Sequence, residues 1–128
     1  MIINTPISLG ELLDKISILS IKRKNIQDEK KQKLINKELK LLEKKLFKVL
    51  NHNLYIEKYL KKLININSKL WKIEDNIRKC ESEKNYSQEF IDLARSVYLT
   101  NDKRSKIKLE INQKFNSTIV EVKSYKKY

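Results

Sequence analysis

The sequence predicts a mainly α-helical protein, with four helices in a bundle-like or antiparallel-hairpin architecture and short extended segments at both ends. Two observations support this fold class. The 128 residues contain one Gly and one Pro, and so few helix-breaking residues favour long uninterrupted helices. Apolar residues also recur at helical spacing along most of the chain. The length suits one domain, so residues 1–128 are expected to form a single helical domain.

The first helix is expected to begin at Ser8. Residues 1–7 contain Pro6, which disfavours helix there, so they are expected to be extended. Ser8 and Glu11 have the spacing of a capping box. The segment that follows is apolar on two opposite sides, a pattern typical of a helix that packs between others.

The second helix is expected to start after Asp28, a residue type that caps helix N-termini. A 4-3 apolar repeat then runs through Ile35, Leu39, Leu42, Leu46 and Val49. Asn51-His52-Asn53 interrupts it before the register resumes over residues 56–77. Two architectures fit: one helix of about 80 Å, or two helices folded into an antiparallel hairpin. The turn-prone interruption favours the hairpin.

The last helix is expected to run from about Ser87 to Phe115. Asn116 follows as a candidate left-handed cap at its C-terminal end. Residues 118–125 are β-branched and partly alternating, which predicts a strand. The N-terminal arm is a candidate partner for that strand.

The net charge of +13 has two interpretations. It could serve an anionic partner such as nucleic acid, a membrane surface or an acidic protein. Alternatively it reflects composition, since 25 of the 29 basic residues are Lys and Lys, Asn and Ile share AT-rich codons. Most lysines lie in mixed-charge runs typical of solvated helix faces. Charge-driven nucleic-acid binding is therefore an alternative but is not favoured.

Glycine, histidine and cysteine each occur only once, which excludes several types of functional site. Gly10 is the only glycine, so phosphate-binding and dinucleotide-binding glycine loops are absent. His52 and Cys80 are the only residues of their kinds, which excludes a Cys/His zinc site and an internal disulfide. We predict no metal, no cofactor and a reducing, cytoplasmic location. We expect no signal peptide and no membrane insertion, because the apolar runs are short.

The candidate polar site lies mainly in residues 71–104. Glu74, Arg78 and Glu81 recur at helical spacing beside an apolar stripe, and Arg95, Tyr98 and Asp102 do the same on the next helix. We expect two half-buried clusters that form either a closed ion-pair network or an open anion site. In the first helix, Glu11 and Lys15 form an i, i+4 pair beside Asp14. The candidate residues are Glu11, Asp14, Lys15, Trp71, Glu74, Asp75, Arg78, Glu81, Arg95, Tyr98, Asn101, Asp102 and Arg104.

Four segments together resemble a bacterial family of small proteins known as a domain of unknown function. They are SLGELLDKISILSIK (8–22), LWKIEDNIRKCE (70–81), ARSVYLTNDKR (94–104) and VEVKSY (120–125). The resemblance spans nearly the whole chain and marks every candidate residue above, together with Glu121, Lys123 and Tyr125. Tyr86-Ser87 replaces the usual Phe-Gly, and Asn116 replaces the usual Gly, at turn or cap positions. The resemblance implies no specific activity, but it implies an association with surface-glycan genes.

Besides nucleic-acid binding, two kinds of function therefore remain open, and the sequence does not decide whether the protein is an enzyme. The leading hypothesis is a non-catalytic module that binds a protein partner, or a second copy of itself, in surface-glycan assembly. The second is a small helical enzyme or binding protein for an anionic metabolite, either a sugar phosphate or a carboxylate. Arg78, Arg95 and Arg104 would then contact the anion, with Glu74 or Asp102 as an acid or base.

Overall fold

The computed structural model describes residues 1–51 and 53–128. Four helices follow one another: α1 (Leu9–Asn25), α2 (Glu29–Val49), α3 (Leu54–Ser82) and α4 (Gln88–Lys114). The prediction of a mainly helical, four-helix protein is confirmed. Across the described ranges, none of the helices has both the length and the apolar character needed to cross a membrane.

Local side-chain chemistry sets the helix boundaries. Ser8 and Asp28 each accept a hydrogen bond from the backbone amide three residues later, at 3.1 and 2.8 Å, as predicted. Asn53 caps α3 in the same manner, accepting from the amide two residues on at 2.9 Å. After α4, Asn116 has a φ of 50°, the left-handed conformation that was predicted for it.

Helix α1 lies at the centre of the bundle. Its backbone approaches α2, α3 and α4, and α3 and α4 also approach each other. One apolar side of α1, with Leu12, Ile16 and Leu19, packs on Ile35 and Leu39 of α2. Leu13, on the edge of the same broad apolar arc, belongs to a second cluster with Ile56, Leu63, Ile66 and Ile111. On the opposite side of α1, Ile21 is also buried, at 5% exposure. The expectation that α1 packs between other helices is therefore met.

Contacts between helices fix their directions. Glu11 contacts Lys108 while Asp14 contacts Arg104, so α1 and α4 are antiparallel. The rings of Tyr59 and Phe115 lie 6.4 Å apart, which places the start of α3 beside the end of α4. Because α4 is antiparallel to both, α1 and α3 run in the same direction.

Helix α2 ends at Val49 and α3 begins at Leu54, so residues 29–82 do not form one long helix. His52, within the predicted interruption, lies outside the described residues. Helix α2 is antiparallel to α1, because Gln32 at its start donates to the carbonyl of Arg23 at 2.7 Å. Helices α2 and α3 therefore run in opposite directions, as the hairpin interpretation requires. Within the described residues, however, the backbone of α2 comes close to that of α1 and not to that of α3. The apolar seam of α2 packs mainly on α1, and Leu60 of α3 packs against the same cluster.

The predicted strand over residues 118–125 is wrong. Among the described residues no strand occurs, and residues 118–128 contain neither helix nor strand. A strand needs a partner with unpaired backbone groups. Residues 118–128 instead contact α4 through their side chains, and the backbone groups of α4 are already paired within the helix.

Candidate functional site

Asp14 is a buried carboxylate on the central helix, with 1% of its surface exposed. Its Oδ1 accepts hydrogen bonds from the side-chain amide of Asn67 at 2.8 Å and from Nε of Arg104 at 2.9 Å. The second guanidinium nitrogen of Arg104 contacts the other carboxylate oxygen. Burial of a single charge is costly, and these contacts from α3 and α4 offset the cost.

Lys108 lies one helical turn from Arg104 and is also buried, at 7% exposure. Its ammonium lies 2.7 Å from a carboxylate oxygen of Glu11, 3.0 Å from Glu121 and 4.0 Å from Asp14. Burial alone lowers the pKa of Lys108, but the hydrogen bonds to Glu11 and Glu121 outweigh it, so the pKa rises above its usual value. Glu11, Asp14, Arg104, Lys108 and Glu121 together are called the ion cluster below.

A close approach between α1 and α4 positions the ion cluster. The backbone amide of Gly10 donates to Oδ1 of Asn112 at 2.7 Å, and Asn112 is 2% exposed. A Cβ atom on Gly10 would lie 2.6 Å from the carbonyl oxygen of Lys108. The only glycine of the chain is therefore required for this packing, and it brings α1 within reach of both cations of the ion cluster.

The C-terminal tail, residues 115–128, attaches to the helices at three places. The hydroxyl oxygen of Ser117 accepts from the amide of Leu9 at 3.2 Å. Glu121 contacts Lys108, and the hydroxyl of Tyr128 contacts Asp102 on α4. Contacts with Lys123, at 2.7 Å, and with Lys108 lower the pKa of Glu121 from 4.5 to about 2. The tail is therefore held mainly by side chains.

Between α4 and this tail lies a cavity of about 610 Å³, called the tail cavity. Four cationic side chains and three tyrosines contribute to its walls, together with four other residues. The cations are Arg104, Lys108, Lys123 and Lys126, the tyrosines are Tyr98, Tyr125 and Tyr128, and the others are Val97, Asn101, Asp102 and Ser105. The rings of Tyr98 and Tyr128 meet edge to face at 5.4 Å. This volume suits a small organic ligand.

A second cavity, of about 540 Å³, lies between α1, α3 and α4 and is called the tryptophan cavity. Trp71, Arg78 and two carboxylates border it above an apolar floor. Its lining is Ile18, Ile21, Asn67, Leu70, Trp71, Glu74, Asp75, Arg78, Asn101 and Arg104. Asn101 and Arg104 border both cavities, and Arg104 donates to Asn101 at 3.3 Å.

Most of the predicted site residues come together around these two cavities. Trp71, Glu74, Asp75 and Arg78 line the tryptophan cavity, and Tyr98 and Asp102 line the tail cavity. Asn101 and Arg104 belong to both, while Glu11 and Asp14 belong to the ion cluster. Lys15, Glu81 and Arg95 are exposed and lie outside both linings. Arg78 and Arg104 therefore border one cavity, and Arg95 does not join them.

The expected burial of the Glu74–Arg78–Glu81 group is not observed. Their residues are exposed, the side chain of Arg78 by 80%, and Arg78 contacts Glu74 at 3.8 Å. Glu81 instead accepts a hydrogen bond from Tyr86 at 3.2 Å. Glu74 and Arg78 line the tryptophan cavity, so they face open space where a packed neighbour was expected.

Four residues of this region were not among the predicted site residues. Asn67 carried a usable signal, since it occupies an apolar position of the helical repeat and is 6% exposed in the fold. Asn112 continues a line of small and polar residues along α4, formed with Ala94, Asn101 and Ser105. In the fold Asn112 packs against Gly10, while Asn101 and Ser105 line the tail cavity. Nothing in the sequence distinguished Lys108 from the rest of the 25 lysines. Glu121 was marked only by the family resemblance.

The chemistry available here is hydrogen bonding and charge pairing. Among the described residues, no group of three or more His, Cys, Asp and Glu side chains could hold a metal ion. Asp14 and Lys108 are buried, and Arg104 is held by its contacts with Asp14, whereas Lys123 and Lys126 are exposed on the tail. A fixed guanidinium beside exposed ammonium groups is an arrangement that binds anions.

Comparison with known proteins gives one match. No curated protein and no solved structure matches the sequence. One family model, described as a family of unknown function, DUF6165, matches residues 3–128. That range includes α1 to α4, the ion cluster and the linings of both cavities. The chain therefore belongs to the DUF6165 family, as the resemblance in its sequence indicated.

Proposed function

We propose that the protein binds a small ligand carrying a phosphate or carboxylate group, and that the anionic group occupies the tail cavity. The observation that carries this proposal is the placement of Arg104. Arg104 lines both the tail cavity and the tryptophan cavity, and its guanidinium is hydrogen-bonded to the buried Asp14.

The contacts of Arg104 leave part of its guanidinium available. Asp14 occupies Nε and one terminal nitrogen, and the other terminal nitrogen donates to Asn101 at 3.3 Å. A guanidinium has five N–H donors, so further donors remain for a ligand. Because Asp14 already fixes the side chain, a ligand would not bear the entropic cost of ordering it. This arrangement supports preorganised recognition of an oxyanion.

The wider charge distribution in the tail cavity also supports an anion. Four cations line it, and Asp102 is the one carboxylate among its lining residues. Asp14, Glu11 and Glu121, which lie outside the lining, pair with Arg104, Lys108 and Lys123. The ammonium groups of Lys108 and Lys123 are paired with Glu121. Arg104 is paired with Asp14 but keeps further N–H donors, so Arg104 and Lys126 are the cations we expect a ligand to meet first. Tyr98, Tyr125 and Tyr128 supply apolar ring surface and hydroxyl groups beside them.

Isothermal titration calorimetry with inorganic phosphate, pyrophosphate and citrate tests the proposal. Lys126→Met should weaken binding several-fold, because it removes a cation from the cavity wall. Lys106→Met is the matched control, since Lys106 is an exposed lysine of α4 outside the cavity linings. Arg104→Lys should weaken binding about tenfold, because an ammonium cannot replace the planar fork of donors.

The outcomes separate a built site from general charge attraction. Equal losses in Lys126→Met and Lys106→Met would mean that binding follows net charge alone. The same titration with a short oligonucleotide at two salt concentrations tests nucleic-acid binding, which is expected to weaken steeply with salt. The proposal is wrong if none of the small anions binds, or if Arg104→Lys and Lys126→Met leave their affinities unchanged.

A second candidate function is docking of a protein partner on α2. Within the described chain, the backbone of this helix comes close only to that of α1, and Leu34 and Leu41 on it are 69% and 47% exposed. It carries eight Lys and three Glu, so charge complementarity favours an acidic partner surface. Because the family resemblance implies an association with surface-glycan genes, we include proteins of surface-glycan assembly among the candidate partners.

Retention of partners from bacterial lysate tests the second candidate. An acidic protein should be retained by the wild type and lost with the Leu34→Asp and Leu41→Asp double variant. Leu99→Asp on α4, where Leu99 is 38% exposed, is the control and should retain it. Retention of the same proteins by all three forms would count against docking on α2.

A further inference from the structure

We infer that the ligand is a sugar phosphate, with its phosphate in the tail cavity and its sugar ring in the tryptophan cavity. This inference rests on the proposed function, since it assumes that the tail cavity receives the anionic group. It adds a second subsite and a chemical class, because the two cavities differ in the groups that they present.

The two cavities share part of their walls. Asn101 and Arg104 line both, and they are joined by the hydrogen bond from Arg104 to the Asn101 side chain. A phosphate bound to Arg104 would therefore lie next to the tryptophan cavity, and a group attached to it through one ester oxygen could enter that cavity.

The tryptophan cavity has the groups that a sugar ring needs. Trp71 is half-buried there and offers a flat aromatic surface to the C–H face of a ring. The carboxylates of Glu74 and Asp75 line the same cavity and can only accept hydrogen bonds when ionised. Sugar hydroxyl groups are donors, so they complement these acceptors, while Ile18 and Leu70 supply an apolar floor.

The charged residues of the tryptophan cavity disfavour other chemical groups at this end of the ligand. A second anionic group, as in a dicarboxylate, would be repelled by Glu74 and Asp75. An ammonium group would be repelled by Arg78 and Arg104 in the same wall. A neutral group rich in hydroxyls avoids both penalties. This balance favours a sugar phosphate over the carboxylate alternative that the sequence left open.

Intrinsic fluorescence provides a direct test, because Trp71 is the only tryptophan. Inorganic phosphate, free hexoses, citrate and a set of hexose 1- and 6-phosphates are titrated separately. A hexose phosphate should bind at least about tenfold more tightly than inorganic phosphate and should change the Trp71 emission. Inorganic phosphate should bind with little change in emission.

Variants assign the emission change to the correct cavity. Trp71 also borders a third cavity, of about 800 Å³, that Lys72 lines and Glu74 does not. Glu74→Gln should therefore weaken hexose phosphate binding and leave phosphate binding unchanged, whereas Lys72→Met should change neither. By calorimetry, Trp71→Leu should reduce the affinity for hexose phosphate to that for inorganic phosphate. Circular dichroism checks that each variant is folded.

Two different failures can be told apart. If inorganic phosphate binds through Arg104 and Lys126 but every hexose phosphate binds no more tightly, the sugar subsite is wrong and the proposed anion site stands. Equal weakening of phosphate and hexose phosphate by Trp71→Leu would also overturn the subsite. If no probe binds at all, both the proposed function and this inference fail.

Discussion

Asp14 and Arg104 lie 90 residues apart in the sequence and share two hydrogen bonds across the interface of α1 and α4. Asp14 is almost fully buried, and 27% of the Arg104 side chain is exposed. One partner therefore belongs to the protein interior and the other to the walls of two cavities. The pair links the stability of the bundle to the candidate site, and the first prediction concerns its stability.

Asp14→Ala should destabilise the fold by about 3–5 kcal/mol, because it leaves Arg104 partly buried without its carboxylate and removes the acceptor of Asn67. Urea unfolding followed by circular dichroism measures the loss. Glu74→Ala is the control, since it breaks an exposed ion pair and should cost about 1 kcal/mol or less. Similar losses in the two variants would contradict the central role of Asp14.

Gly10→Ala should destabilise the protein by about 1–3 kcal/mol, although Ala favours helices more than Gly does. The added Cβ would lie 2.6 Å from the Lys108 carbonyl oxygen and 3.0 Å from the Asn112 side chain. Thermal unfolding is a suitable measurement, and Lys15→Ala, at an exposed position of α1, should have little effect. A rise in melting temperature for Gly10→Ala would show that α1 and α4 can separate without cost.

Leu39→Ala on α2 should cost about 2–5 kcal/mol, because Leu39 is 1% exposed and fills the contact with α1. Leu34→Ala is the matched control on the same helix. With Leu34 69% exposed, its loss should lie within about 0.5 kcal/mol of zero. Equal effects in urea unfolding would mean that α2 does not pack on α1 in solution.

Low pH should release the tail through Glu121. Its pKa is lowered from 4.5 to about 2 in the fold by Lys123 and Lys108, so its contribution to stability is complete above pH 4.5 and is lost as the pH falls towards 2. Because Glu121 is 39% exposed, that contribution should be about 1 kcal/mol or less. The difference in unfolding free energy between wild type and Glu121→Gln should shrink to zero over this range. A constant difference from pH 5 to pH 2 would show that the Glu121 carboxylate does not hold the tail.

The sequence predicted the helices well because their signals are local. Ser8, Asp28 and Asn116 cap or terminate helices through side chains and conformations that depend only on neighbouring residues. The break before Leu54 was visible for the same reason. The partner of each helix was harder to predict, since the apolar seam of α2 fits α1 or α3 equally well by pattern alone.

The candidate site was predicted in part. Trp71, Arg78, Asn101 and Arg104 were selected by residue type and spacing, and they do border common cavities. Lys108 could not be selected from the sequence. Its burial depends on the packing of α1 against α4, and its sequence position does not distinguish it from exposed lysines. The strand predicted in the tail failed for a related reason, since β-branched residues indicate a strand only where a partner edge exists.

The central position of α1 also has a consequence for the order in which the chain can fold during synthesis. Helix α1 emerges from the ribosome before the other three helices, but Arg104, Lys108 and Asn112, which contact its buried polar groups, emerge 90 to 102 residues later than their partners. Until then, only the contacts of α1 with α2 and α3 are available to it. Contacts of such long sequence separation slow folding relative to locally connected helical proteins. We therefore expect the nascent chain to acquire its final structure in one late step, when α4 has been released.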